Sequence, residues 1–455
     1  MKILLIGNGF DLEHRLPTSY KNFLEFCNKA SKIYTYGIEV PLSVYENKYL
    51  NEWEMDNNIK KILSDAFNER QHIKSEQKNG VNDYKFETPN KLLDELNNCI
   101  DNNAWINFFM KRFSVIGENW IDFESEISKV IQILDEARTK VINGESVKNI
   151  QKDKYKILEL ISDVSKESFQ DVLREMDIFR EMHIFRGMDI FINIRLIDKF
   201  IPFLDTELEK LIRALEIYIA EFVNKITITK KSADIEQLNP DHILSFNYSD
   251  TYERIYGKDK KIDYAYIHGK ADINKNVITS NLVLGIDEYL DDNRKDEELE
   301  FLIFKKFYQR IYKSTGNDYL DWVDEIKDGY ANFLKEKSDA YARAVESLKD
   351  GSLEYPYEKN VCRESLNIEC PEHTLYIFGH SLDVTDRDIL KMFICNDNVK
   401  TKIFYYRENK DDKKVLGKLI RNLIRIMGQD ELLRRTGGIH KTIEFIPQTI
   451  SEEEK

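Results

Sequence analysis

The sequence predicts an open, mostly parallel α/β sheet interrupted by large α-helical insertions, and three observations carry that prediction. The chain opens on Ile3-Leu4-Leu5-Ile6, an apolar run with no polar alternation. Such a run suits a strand buried on both faces, as in a parallel sheet covered by helices. Similar short runs, bounded by turn residues, return at 242–246, 264–267, 282–284, 374–378, 402–406 and 442–446. Most of them are separated by segments whose apolar residues recur at helical spacing, the alternation expected of strands joined by helices.

Composition agrees. A chain of 455 residues, 42% hydrophobic, affords either two or three domain-sized units or one core with insertions. Glycine (18) and proline (8) are scarce and charged residues reach 33%, which favours long solvent-faced helices around a smaller sheet. The net charge of −14 argues against nucleic acid as the main partner, because such binding relies on basic side chains that displace counterions from phosphates into solution. The five cysteines, Cys27, Cys99, Cys362, Cys370 and Cys395, are odd in number and lack metal-finger spacing. They read as reduced thiols of a cytoplasmic protein, and no metal is expected. The N-terminal apolar run is too short for a signal peptide, and no run long enough to cross a membrane follows.

Taken in order, the first strand ends in Gly7-Asn8-Gly9-Phe10-Asp11. Glycines there permit a sharp turn and close approach of a ligand, and a helix starting after it offers N–H groups to phosphate. The dinucleotide fingerprint wants a third glycine where this chain has Glu13, so the motif alone is incomplete. Thr18 or Ser19 suits the N-cap of a helix running through Phe23 and Phe26. Residues 31 to about 240 lack strong strand signals and read as a helical insertion. Its best helix runs from Thr206 to Thr227, with Leu208, Leu211, Ile212, Leu215, Tyr218, Ile219, Phe222, Val223 and Ile226 on one stripe, and Thr206 and Glu209 at capping-box spacing. A six-residue echo spans Glu175 to Ile192. It reads as a slipped duplication in a buried helix, or as a Met- and Phe-rich self-association surface. A second helical insertion covers 291–367. The predicted core is therefore 1–30, 240–290 and 368–448, and the insertions are 31–239 and 291–367.

In an open α/β sheet, ligands lie beyond the carboxyl ends of the strands. Those positions hold Gly7, Asn8, Gly9 and Asp11; then Asn247-Tyr248-Ser249-Asp250; then His268-Gly269; then Gly285 and Asp287; then Gly379-His380-Ser381-Leu382-Asp383, with Asp386 beyond. Each has a plainer explanation: Asn247 as a cap, His268 as a turn residue, Asp383 and Asp386 as first-turn acids favoured by the helix dipole. Their recurrence at five successive strand ends is what points to a site.

These same residues resemble the phage abortive-infection AbiH family. Leu5-Ile6-Gly7-Asn8-Gly9-Phe10-Asp11-Leu12 and Leu16-Pro17-Thr18-Ser19-Tyr20 look like its opening signature. Asn119-Trp120-Ile121-Asp122-Phe123-Glu124, Phe246-Asn247-Tyr248-Ser249, Ile267-His268-Gly269, Leu284-Gly285-Ile286-Asp287 and Phe378-Gly379-His380-Ser381-Leu382 follow in its order. The arrangement is also similar to the Sir2-like, NAD-consuming superfamily. Gly7-Asn8-Gly9 stands where sirtuins have Gly-Ala-Gly, Asn247 matches their Gln-Asn-Ile-Asp, His268-Gly269 their catalytic His-Gly, and Gly379–Val384 their Gly-Thr-Ser-Leu-x-Val. Ser249 replaces the acidic residue of the Thr-Asn-Tyr-Asp motif, and Asp11 stands where sirtuins have serine. The four-cysteine zinc module is missing, so deacetylation is not implied.

The resemblance implies a Rossmann-like (Sir2-like) core and an antiphage protein that hydrolyses NAD when triggered. Asn247 and His268 would be catalytic. Gly7, Asn8, Gly9, Phe10, Asp11, Gly379, His380, Ser381 and Asp383 would bind the nucleotide. Asn247 would orient ribose and water, and His268, near its ordinary pKa of about 6.5, would act as base. A phage-encoded trigger and self-association are further expectations. The alternative is a module that senses NAD or an ADP-ribose-like signal without consuming it, which Ser249 slightly favours. A nuclease finds no basic stripe or metal-carboxylate cluster, and Asp122, Glu124 and Glu126 suit a solvent-facing helix side.

Overall fold

The computed structural model describes residues 1–36, 57, 59–61, 72–73, 85–86, 91–116, 122–175, 190–191, 194–258, 260–290, 294, 299–349, 368–407 and 413–449. Its strands are β1 (Lys2–Ile6), β2 (His72–Ile73), β3 (Lys85–Phe86), β4 (His242–Ser245), β5 (Asp263–Tyr266), β6 (His373–Phe378), β7 (Val399–Tyr405) and β8 (Ile443–Pro447). Six of them form one sheet in the order β5-β4-β1-β6-β7-β8, and every pairing in it is parallel. This is the doubly wound order, and its direction reverses between β1 and β6.

The apolar run of β1 is explained by its two neighbours. Ile3 and Leu5 enter a core with Leu375, Ile377 and Ile389 on one side of the sheet. Leu4 and Ile6 enter a second core with Phe10, Tyr252 and Phe378 on the other. A central strand covered on both faces has no position for a polar side chain. Ile6 pairs with both Ser245 and Phe378, and Ser245 pairs with Tyr266. That register brings the segments following β1, β4, β5 and β6 out side by side.

Two expectations about strands fail. Leu282-Val283-Leu284 is fully buried but is not a strand. Its backbone bonds go elsewhere: Val283 N donates to His268 O at 2.9 Å and Leu284 N to the Gln309 side chain at 3.1 Å. The run is apolar because it is a buried strap, held by a side chain where a ladder would be. In the first insertion, β2 and β3 make a small antiparallel pair, where no strand was expected.

The first insertion is otherwise helical among its described residues. Helices Lys91–Ile100, Ala104–Ile116, Phe123–Ile142, Lys152–Glu175 and Ile194–Ile217 share one large core. The Leu208–Ile226 stripe is buried as expected. Thr206 is not its start, however. The helix begins at Ile194, carries Pro202 inside, and continues as a π-helical turn at Tyr218–Val223. Thr206 Oγ1 donates back to Pro202 O at 3.1 Å, the bond of a threonine within a helix and not of a cap. Ser19 does cap the helix Tyr20–Tyr36, accepting from Asn22 N at 3.2 Å. The six-residue echo lies almost wholly outside the described residues, as does Cys362. The second insertion supplies the short helix Lys306–Tyr312 and the long one Leu320–Lys349, whose Trp322, Val323 and Ile326 join the sheet core.

Candidate functional site

The two turns flanking the switch point interlock. Gly7 N donates to Phe378 O at 3.1 Å and Gly9 N to Gly379 O at 2.8 Å. A Cβ at Gly7 or Gly9 would lie 2.8 Å from atoms of the Gly379-His380 backbone. At Gly379, whose φ is +68°, it would lie 2.1 Å from Phe10 N. These glycines are therefore needed for one turn to pass against the other. The N–H groups of Gly7 and Gly9, expected to hold phosphate, are already donated within the chain. Asn247 Nδ2 pins the first turn by donating to Gly7 O at 3.0 Å, and Thr18 Oγ1 donates to Asn8 Oδ1 at 2.6 Å. The second turn is held by Leu382, buried at φ +54°, whose N–H donates to His380 Nδ1 at 2.9 Å. A non-glycine residue in that region is strained, so the surrounding packing must hold it.

Above these turns lies a cavity of about 260 Å³. Gly7, Asn8, Gly9, Asp11, Asn247, His268, Gly379, His380, Ser381 and Asp383 all line it, gathered from four strand ends. Phe10 does not. It points under the sheet and packs against Tyr252 and Phe378, 6.1 Å from each ring centroid. Asp383 lines the cavity while its Oδ1 accepts from Thr385 N at 3.2 Å, as a capping residue does. The wall also contains Tyr20, Asp122 and Glu124, with Leu215 before the π-helical turn and Ile219 within it. The first insertion thus builds part of the site.

Asp386 organises the charge. Its Oδ1 lies 3.4 Å from His268 Nε2 and 3.2 Å from Lys306 Nζ, and its Oδ2 lies 3.5 Å from His380 Nε2. Lys306 Nζ also pairs with Glu124 Oε2 at 2.7 Å. Burial opposes the charge on Asp386, but the Lys306 ammonium and the two imidazoles outweigh it and hold the carboxyl well below its usual range. Burial likewise opposes the charge on Lys306, and Asp386 and Glu124 overcome it. His268 is pushed below its ordinary pKa by burial, with the Lys306 charge adding to it, against the pull of Asp386 and Glu124. It is therefore neutral at physiological pH. With Asp386 accepting from Nε2–H, the lone pair sits on Nδ1, which is buried without a partner.

A second buried carboxylate faces the cavity at Asp11. Ser249 Oγ donates to its Oδ2 at 2.6 Å, and Thr251 Oγ1 donates to Ser249 Oγ at 3.0 Å. Asp11 Oδ1 is buried with no partner. Burial raises this carboxyl to about 6, against the Ser249 and Thr251 hydroxyls and the Arg254 charge. Each buried polar atom left unpaired costs roughly 1–3 kcal/mol. Two of them belong to side chains on different elements that line one cavity. Asp11 and Ser249, from the ends of two neighbouring strands, are thus bonded to one another.

Sequence reasoning missed Glu124 as a cavity residue and missed Lys306 altogether. Asp122 and Glu124 had a signal in the Asn119–Glu124 motif, but helical spacing gave them a solvent face. Instead Asp122 caps the helix Phe123–Ile142, accepting from Glu124 N at 3.1 Å, and both carboxyls are raised by burial. Glu126 pairs with Arg112 and Lys129, at 2.9 and 2.6 Å. Among the described residues no group of three or more His, Cys, Asp or Glu is arranged to hold a metal ion. No helix among them is long and apolar enough to cross a membrane.

A sequence model of the family described as bacteriophage abortive infection AbiH matches residues 3–406 of this chain. No curated protein and no solved structure matches it.

Proposed function

The chain belongs to the bacteriophage abortive infection AbiH family, which gives it a role in defence against phage, and within that role we propose that it hydrolyses NAD to nicotinamide and ADP-ribose when triggered. The observation that carries the proposal is the meeting of Asn247 and a neutral, Asp386-bonded His268 in one cavity at the sheet's switch point. Cleaving the N-glycosidic bond develops positive charge on the ribose, as in glycoside hydrolysis generally. In this proposal the C1′–N bond breaks and its electron pair stays on the nicotinamide nitrogen, cancelling the pyridinium charge. The oxygen of a water bonds to C1′, oriented by the Asn247 carboxamide. The water's proton passes to His268 Nδ1 and on to solvent. The negative Asp386 stabilises the imidazolium that forms, and Asp11 and Glu124 offset charge on the sugar.

The test is nicotinamide release by the purified full-length protein, alone and with lysate of phage-infected cells. Release by wild type that is lost in His268→Ala and Asn247→Ala supports the proposal. Tight NAD binding without release under any condition overturns it in favour of a sensing module.

A further inference from the structure

The charged side chains of the cavity wall are acidic, which disfavours a phosphate ester there. Asp11, Asp122, Glu124, Asp383 and Asp386 all line it, and among the described residues no lysine or arginine does. The nearby buried cation, Lys306, is bonded to Glu124 and Asp386. The N–H groups of Gly7 and Gly9 are donated within the chain. A pyrophosphate placed in this cavity would face carboxylates at low dielectric, where like charges repel strongly. A carboxylate cluster alone is not a site, but two buried polar atoms on side chains of this wall are left without partners, independently of it. Asp11 Oδ1 and His268 Nδ1 are buried, unpartnered and on cavity-lining side chains that are 1% and 5% exposed. The aromatic side chains of Tyr20, Phe246 and Tyr248 complete the wall. Aromatic faces attract a diffuse, weakly hydrated cation.

We infer that the cavity selects its ligand by a positive charge at the glycosidic nitrogen, taking the cationic pyridinium riboside end of a dinucleotide and leaving its phosphates outside. The inference deepens the hydrolysis proposal and rests on the same cavity, but it concerns recognition and not bond cleavage. It makes the pyridinium cation the specificity element, with Asp11 and Glu124 as its counter-charges. Reduced, uncharged dihydropyridine ribosides of the same size are rejected. Phosphate groups add little affinity.

The experiment is calorimetric titration of the full-length protein with nicotinamide riboside, with its reduced uncharged form and with NAD, assaying free nicotinamide in the same samples. The cation is expected to bind at least about tenfold tighter than the reduced form, a preference of about 1.4 kcal/mol. NAD should bind about as tightly as the riboside. Glu124→Gln and Asp11→Asn should each narrow the charge preference. Asp11→Asn keeps the comparison open if the loss of Glu124 from Lys306 prevents folding. Equal affinity for the charged and uncharged forms, binding of NAD but not of the riboside, or no binding of either riboside overturns the inference. A charge preference with no nicotinamide release, even after lysate of phage-infected cells is added, upholds it while defeating the hydrolysis proposal.

Discussion

Lys306 Nζ stands between Glu124 Oε2 at 2.7 Å and Asp386 Oδ1 at 3.2 Å, joining the two helical insertions to the turn that follows β6. Glu124 comes from the first insertion, Lys306 from the second and Asp386 from the core. The insertions are therefore built into the site's electrostatics. Lys306→Met would leave two buried carboxylates without their shared cation. Breaking a buried pair in this way costs about 3–5 kcal/mol. The loss should shrink at acid pH, where a carboxylate can take a proton. Melting curves at pH 5 and pH 8 check this. Equal destabilisation at both would contradict it.

Asp386→Asn tests the same hub from its other side. An amide cannot accept from Lys306 and both imidazoles at once, and its NH2 would oppose one of the donors. Nicotinamide release should fall by about 10²–10⁴-fold, the usual contribution of a positioned base. For the wild type, the depressed Asp386 pKa gives stability that is present above the unfolded carboxyl's range and is lost as pH falls through the folded value. Acid melting should accordingly be steeper in the wild type than in Asp386→Asn.

Asp11→Asn should behave in the opposite sense. Folding raises the Asp11 carboxyl from 3.8 to about 6, because burial disfavours its charge. The folded state then holds this proton more tightly. Stability from it is fully present below the unfolded value and is lost as pH rises through about 6. Arg254 and Asp250 act on the carboxyl from the neighbouring turn, in opposite directions. The asparagine variant should melt higher than wild type at pH 8, by on the order of 2–3 kcal/mol, and close to it at pH 4. Its nicotinamide release should fall. Lower melting at pH 8 would mean that Asp11 serves the fold.

Gly379→Ala and Gly438→Ala separate two costs. Both glycines have positive φ, +68° and +66°, but Gly438 has nothing within 4 Å of an added Cβ. Its substitution should cost only the left-handed penalty of about 1–2 kcal/mol. Gly379→Ala should cost distinctly more, because the Cβ would meet Phe10 N and force the two turns apart. Denaturant titration of the pair checks the ranking.

Much of the sheet and the site floor was legible in the sequence because both depend on local patterns. Runs such as Ile3–Ile6 are apolar since the strand is covered twice, and the strand ends gather what a parallel sheet must place at one edge. Leu282–Leu284 deceived the same logic, since burial leaves the same apolar mark whether the backbone bonds to a strand or to Gln309. Phe10 sits within the glycine motif, yet helical geometry turns it under the sheet. Lys306 was invisible because its partners are 182 and 80 positions away in the chain, and a lysine heading a short helix reads as surface. The glycine turn was read as a place of close approach, and what approaches it in the structure is the second turn.

The central claim is tested most directly by measuring NAD in infected cells. Cells carrying the wild-type protein should lose NAD after phage infection and before lysis, while cells carrying His268→Ala keep it and lose protection. Protection that persists in wild-type cells with NAD unchanged throughout infection would contradict the account.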